Sequence, residues 1–166
     1  MEIKTNRLSI RNLCGNDWID MKNIFIDFNN SRYAVYDRPL PTEDNEVKAL
    51  VNQFVNSNLF FAIRTLDTNK MIGYVCFHKD ADKYDLGYCF HSAHHSKGYA
   101  YESVNVLIEY IAQVYSVSNF TAGTAIDNEP SCRLLEKLGF ICISTEIVSF
   151  DNLLSFQGGN FELYIK

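Results

Sequence analysis

The strongest constraint on the fold is a change of period along the chain: three closely spaced β-rich runs are followed by one long stripe at helical spacing. Residues 59–65, 71–78 and 84–90 are apolar and rich in β-branched and aromatic side chains, and the turn-like Asp67, Thr68, Asn69 and Lys70 separate the first two. Strands this close in sequence read as an antiparallel meander, because a parallel partner would need a longer crossover. Ala100, Val104, Leu107, Ile108, Ile111 and Val114 then recur at helical spacing, which predicts a helix over 98–115.

The rest of the chain is read the same way. Leu8 and Ile10 alternate with polar neighbours as in a strand. Asn16 and Asp17 open a helix in which Trp18, Met21, Phe25 and Phe28 share a face. After a loop over 37–41, Thr42 is the expected N-cap of a second helix. Glu43, Asp44 and Glu46 stand near its start, where the dipole favours anions, and its stripe is Val47, Leu50, Val51, Phe54 and Val55. Further on come a strand at 119–125 and a short helix carrying Leu134, Leu135 and Leu138, with Gly139 as its C-cap. Strands at 140–148 and 161–165 close the order β-α-α-β-β-β-α-β-α-β-β. The expectation is an α+β fold, a mixed, mostly antiparallel sheet flanked by helices. With no repeat and no Pro/Gly/Ser-rich linker, residues 1–166 read as one domain.

Composition narrows the classes. A net charge of -5 argues against a nucleic-acid partner, which would want a basic face. The 12 Phe and 10 Tyr point to a core or a cleft built partly from rings. Cys14, Cys76, Cys89, Cys132 and Cys142 form no CxxC pair and are expected to be buried, reduced thiols. Residues 1–11 lack the apolar segment of a signal peptide, and no apolar run approaches a membrane span, so a soluble, cytoplasmic protein without a membrane partner is expected. His91, His94 and His95 lack the acidic or Cys companions of a zinc pattern, so no metal is expected there.

The most informative stretch is His95-Ser96-Lys97-Gly98-Tyr99-Ala100, which leads from a strand into the long helix. A helix start offers unpaired N–H groups and about half a positive charge, an anion site that needs no basic patch. The alternative is a plain strand-to-helix turn.

Three further segments accompany this loop: Asn128-Glu129-Pro130-Ser131-Cys132-Arg133-Leu134-Leu135-Glu136-Lys137-Leu138-Gly139-Phe140, Thr5-Asn6-Arg7-Leu8-Ser9-Ile10-Arg11 and Asp85-Leu86-Gly87-Tyr88. In this order the chain resembles the GNAT superfamily of N-acetyltransferases, in the branch containing ribosomal-protein N-terminal acetyltransferases. The loop is similar to the family's Q/R-x-x-G-x-G/A cofactor loop, and the first of the three segments to its N-x-x-S/A-x-x-L-L/Y-E-K-L-G-F helix. The other two are similar to the branch's T-E-R-L-x-L-R opening and E-I/L-G-Y strand.

The resemblance implies acetyl-CoA as cosubstrate. Its pyrophosphate would lie on the amides of His95, Ser96, Lys97, Gly98, Tyr99, Ala100 and Tyr101, its pantetheine arm along Phe90, His91 and Ser92, with Asn128 on the other side. It implies direct acetyl transfer to a primary amine, with Ser131 as acid for the leaving thiolate and Asp85 as base through water. The usual Gln, Arg or Trp is His95 here, the branch's Trp after Gly-Tyr is Cys89, and the wider superfamily's tyrosine acid is Leu135. Ser131 and Asn128 also suit a plain helix cap, and Asp85 a solvated strand carboxylate.

An α-amine, with pKa about 7.7–8.0, is roughly a tenth neutral at pH 7, whereas a lysine near about 10.4 is almost wholly charged. A peptide N-terminus or small amine is therefore the expected acceptor, with Trp18, Phe25, Phe28, Tyr33 and Tyr36 walling its cleft. The rival reading is a non-catalytic acyl-CoA-binding module of the same fold. A strand edge near the C-terminus leaves monomer and homodimer both open.

Overall fold

The computed structural model describes residues 1–150 and 154–165. Among these, eight strands form one sheet in the order β1-β2-β3-β4-β5-β6-β8-β7, and four α-helices flank it. The strands are β1 (Glu2–Lys4), β2 (Leu8–Asn12), β3 (Phe60–Thr65), β4 (Met71–Asp80), β5 (Lys83–Phe90), β6 (Asn119–Ala125), β7 (Ile141–Phe150) and β8 (Leu154–Tyr164). The helices are α1 (Trp18–Asn29), α2 (Asp44–Ser57), α3 (Tyr99–Tyr115) and α4 (Glu129–Lys137).

Every strand pair is antiparallel except β5 with β6. That pair touches only at Tyr84↔Phe120 and Asp85↔Thr121. Beyond it, the ends of β5 and β6 run free of one another and a cleft opens between them.

The sheet buries both faces, as its nearly continuous apolar strands require. On one face, Val104, Leu107, Ile108 and Ile111 of α3 pack on Phe61, Phe77, Leu86 and Phe120. On the other, Met21, Ile24 and Phe25 of α1 and Val47 and Val51 of α2 pack on Phe60, Ala62 and Cys76. At about 1.5–3 kcal/mol for each fully buried side chain, the four α3 residues contribute roughly 6–12 kcal/mol, an upper estimate.

Several expectations need correction. The three-residue β1 precedes the first predicted strand and pairs Ile3 with Ile10; three residues carry too little alternation to be read. The N-cap of α2 is Glu43, in extended conformation, and not Thr42. Asp17 is the N-cap of α1, as expected, but it and Asn16 also belong to a 3₁₀ turn, Gly15–Asp17, that leads into the helix. Val114 is 52% exposed at the end of α3, past the reach of the sheet.

The last strand begins at Leu154 and runs through Gly158 and Gly159, a pair with the look of a turn. These glycines admit neighbours instead: a Cβ at Gly158 would lie 2.7 Å from Val148 Cγ2, and one at Gly159 2.6 Å from Ile126 Cδ1. All five cysteines are free, but only Cys76 is buried: Cys14, Cys89 and Cys132 are part-buried, and Cys142 is exposed on the sheet's outer strand, β7.

Candidate active site

The gap between β5 and β6 is the floor of a cleft of about 1090 Å³, lined from both faces of the sheet. Successive side chains of β5 point to opposite faces. Leu86, Tyr88 and Phe90 therefore join the α3 side, while Cys89 joins the α1–α2 side.

One end of the cleft is the loop from β5 into α3. Ser96 (φ 58°) and Gly98 (φ 79°) both adopt the left-handed conformation, which folds the loop back over the start of α3. Among the described residues, the N–H groups of residues 96–101 have no backbone or side-chain acceptor, and Gly98 caps the helix without a side chain. Several amides and the helix dipole thus converge on one spot, a geometry that holds anions.

The loop is anchored from the N-terminus. Arg7 Nε donates to Glu102 Oε2 at 2.8 Å, its Nη1 donates to the Lys97 carbonyl at 2.9 Å, and its guanidinium lies 4.6 Å over the Tyr99 ring. Thr5 Oγ1 donates to Glu102 Oε1 at 2.5 Å. Burial works against the charge on Glu102, but the bonds from Thr5 and Arg7 hold its carboxyl below the ordinary value.

At the middle of the cleft, Tyr88 Oη and Ser131 Oγ lie 2.7 Å apart and bridge β5 to α4. Burial pushes the Tyr88 phenol up to about 12, against the pull of Ser131, so it stays a neutral donor at neutral pH. Asn128 lines the cleft and also caps α4, its Oδ1 accepting from the Ser131 N–H at 3.4 Å.

Of the residues singled out from sequence, Phe90, His95, Ser96, Gly98, Tyr99, Ala100, Tyr101, Asn128 and Ser131 all line this one cleft. His95 Nε2 donates to the Phe90 carbonyl at 2.7 Å, fixing the tautomer and closing the strand end. Four others take different places. Lys97 turns its ammonium back to the Ala93 carbonyl, 2.9 Å away, so only its backbone faces the loop.

His91 and Ser92 face α1: the Ser92 N–H and Oγ donate to the Asp27 carboxylate at 2.7 and 2.6 Å, and His91 Nδ1 lies 3.7 Å from it. Asp85 is not among the residues lining the cleft. Its carboxylate accepts from Thr121 Oγ1 at 2.9 Å where β5 and β6 meet, and burial raises its pKa. Position in a motif does not say where along a strand the cleft opens, and Asp85 stands at the paired junction, before the opening.

Phe28, Tyr33 and Tyr36 wall the α1 side as expected, but Phe25 is core and Trp18 lies under Lys48, 4.2 Å from the ring. Sequence reasoning did not single out Tyr88, Arg7 or Tyr74 for the site. The first two stood inside quoted motifs, and the signal missed was the partner each would meet.

Comparison with known proteins agrees with this geometry. The acetyltransferase (GNAT) domain family matches residues 7–141. YnaD of Bacillus subtilis (strain 168), an uncharacterized N-acetyltransferase, is 30% identical over 142 residues, covering 84% of this chain and 82% of its own. An acetyltransferase (GNAT family) from Bacillus anthracis superposes with a TM-score of 0.87 at 22% identity, covering 99% of this chain and 98% of its own. RimL, a ribosomal L7/L12 α-N-protein acetyltransferase solved in complex with coenzyme A, has a TM-score of 0.87 at 15% identity over 99% of this chain and 98% of its own. With its family match spanning most of the sequence and its cleft built at the parallel junction, this chain belongs to the GNAT family of N-acetyltransferases.

Proposed function

We propose that the chain transfers acetyl from acetyl-CoA to a primary amine, a peptide N-terminus or a small amine, by direct attack. The observation that carries this reading is the presence, in one cleft, of the unpaired amides of 96–101 and the Tyr88–Ser131 hydroxyl pair. RimL, of similar fold, binds coenzyme A, which supports the choice of cosubstrate.

When bound, acetyl-CoA supplies the acetyl thioester. The loop amides hold its pyrophosphate, and Gly98 leaves the backbone open to the phosphate oxygens. The free end of β5 at Phe90 and the start of α4 at Asn128 flank the arm. Ser131 donates its hydroxyl proton toward the leaving sulfur, and Tyr88, donating to Ser131 Oγ, leaves that proton free to point there. Holding both reactants in one cleft supplies much of the barrier reduction, up to about 7–11 kcal/mol, and a positioned acid adds roughly 10²–10⁴-fold. An α-amine, partly neutral at pH 7, releases its proton to water and makes no demand on Asp85.

The test is calorimetric titration of the purified protein with acetyl-CoA beside a Gly98→Glu variant. Saturable binding by the wild type that the variant loses supports the loop. No binding by the wild type refutes the proposal, and binding without turnover of any amine supports the non-catalytic module.

A further inference from the structure

On the α1–α2 side of the sheet, the cleft wall is made of rings. Phe54 stacks on Phe60 at 3.9 Å with an interplanar angle of 8°, Phe60 lies 6.2 Å from Tyr74, and Tyr36 meets Phe156 edge-on at 5.4 Å. All five line the same cleft as Ser131 and Tyr88. Tyr74 pairs across the strands with Cys89, next to Tyr88 on β5, so this wall and the hydroxyl pair stand on the two faces of the same stretch of β5 and share the cleft at its free end.

The Tyr74 hydroxyl has no hydrogen-bond partner among the described residues. Burial among Phe25, Phe60 and the cysteines keeps the phenol neutral by pushing its pKa well above the ordinary value. The hydroxyl lines the cleft with its donor unused, and a bound acceptor would take it up.

The charges nearby do not suit a polycation. Asp27 is already bonded by Ser92, Asp37 accepts from the Arg38 N–H at 2.7 Å, and Arg32 and Arg133 share the same cleft.

We infer that the acceptor is an amine with a large apolar or aromatic group beside the amino group, such as a peptide whose first residue is Phe or Leu. That group would lie against Phe54, which the buried Phe60 backs, and Tyr36, and the Tyr74 hydroxyl would donate to the peptide carbonyl next to the amine. The inference rests on the transferase reading above and adds the class of acceptor to it.

Thiol release from acetyl-CoA, followed with C-terminally amidated tripeptides that differ only in the first residue, tests it, with spermidine as the polyamine probe. Phe and Leu peptides should exceed the Gly peptide in kcat/KM by about tenfold or more, the scale set by burying one large apolar side chain. Tyr74→Phe should lower kcat/KM for the Phe peptide about fivefold, one neutral hydrogen bond's worth, with acetyl-CoA affinity by calorimetry unchanged. Phe54→Ala, at a part-buried site, should narrow the preference for Phe over Gly with the same unchanged affinity.

Normal acetyl-CoA binding with a preference for the Gly peptide or spermidine overturns this inference and leaves the transferase reading standing. A Tyr74→Phe variant that turns over the Phe peptide like the wild type also overturns it. Absence of acetyl-CoA binding overturns both.

Discussion

Replacing Arg7 by methionine tests whether the loop before α3 is held ready for an anion. The Arg7 side chain is 47% exposed, so its ion pair with Glu102 at 2.6 Å contributes to stability only at the scale of surface pairs, about 1 kcal/mol. For a domain of this size that is a fall in Tm of about 2–4 °C.

The effect on binding should be larger. Glu102 stands four residues beyond Gly98, roughly 6 Å along the helix axis, and loses its counter-charge in the variant. At about 8 Å and an effective dielectric constant of about 40–80, its carboxylate opposes each phosphate charge by about 0.5–1 kcal/mol. A pyrophosphate with two charges then loses about 1–2 kcal/mol, or roughly 5–30-fold in affinity.

Calorimetry with acetyl-CoA on the wild type, Arg7→Met, and Arg7→Met with Glu102→Gln measures this directly. The second substitution should recover most of the loss, and about 0.5 M salt should shrink the difference seen at about 0.05 M. Wild-type affinity in Arg7→Met, or no recovery in the double variant, would refute the electrostatic argument.

Two other predictions concern stability and chemistry. Asp17 is 4% exposed between Arg11 at 2.6 Å and Arg64 at 3.3 Å, so Asp17→Asn should cost about 3 kcal/mol at pH 7, or about 6–12 °C in Tm. Burial opposes the charge on Asp17, but the bonds from Arg11 and the Cys14 N–H hold its carboxyl below the ordinary value of 3.8. A lowered folded-state pKa gives stability that is present above about pH 4 and lost as pH falls through the folded value, so the gap between variant and wild type should narrow as the pH is lowered below about 4. Thermal melts across that range check this, and a pH-independent gap would refute it. Tyr88→Phe removes the partner of Ser131 and should lower kcat about 3–10-fold with little change in KM for acetyl-CoA. Steady-state kinetics decide it, and an unchanged kcat would show that Ser131 acts without Tyr88.

The legible parts of the fold were those written in local pattern. The stripe of α3 and the β3–β5 meander emerged from period alone, since each repeats its signal over several residues. The short β1 and the stretch of β8 through Gly158 and Gly159 did not, because what fixes them is the neighbouring strand. The same division runs through the site. The loop of 95–101 was visible because its unpaired amides and its left-handed glycine all lie within a few residues of one helix start. The contacts that hold it join positions far apart: Arg7 to Glu102, 95 residues along, and Tyr88 to Ser131, 43 residues along. Position in a motif could not give the side-chain contacts of Asp85, His91 and Ser92, whose partners Thr121 and Asp27 lie on other elements.

The departure at position 135 has a structural counterpart. Leu135 is 1% exposed and packs in the core under α4, where a phenol would need a buried hydrogen-bond partner. A phenol nevertheless reaches this end of the cleft, carried by β5 at Tyr88 instead of by α4. It meets Ser131 one helical turn before Leu135, so a strand and a helix together supply the hydroxyl pair. That arrangement depends on the parallel junction: β5 and β6 pair only through Asp85, and Tyr88, three residues beyond, is free to turn toward α4. The Asp85–Thr121 bond lies at the last point of pairing and fixes where the strands part. Asp85 thus marks the point at which the cleft begins.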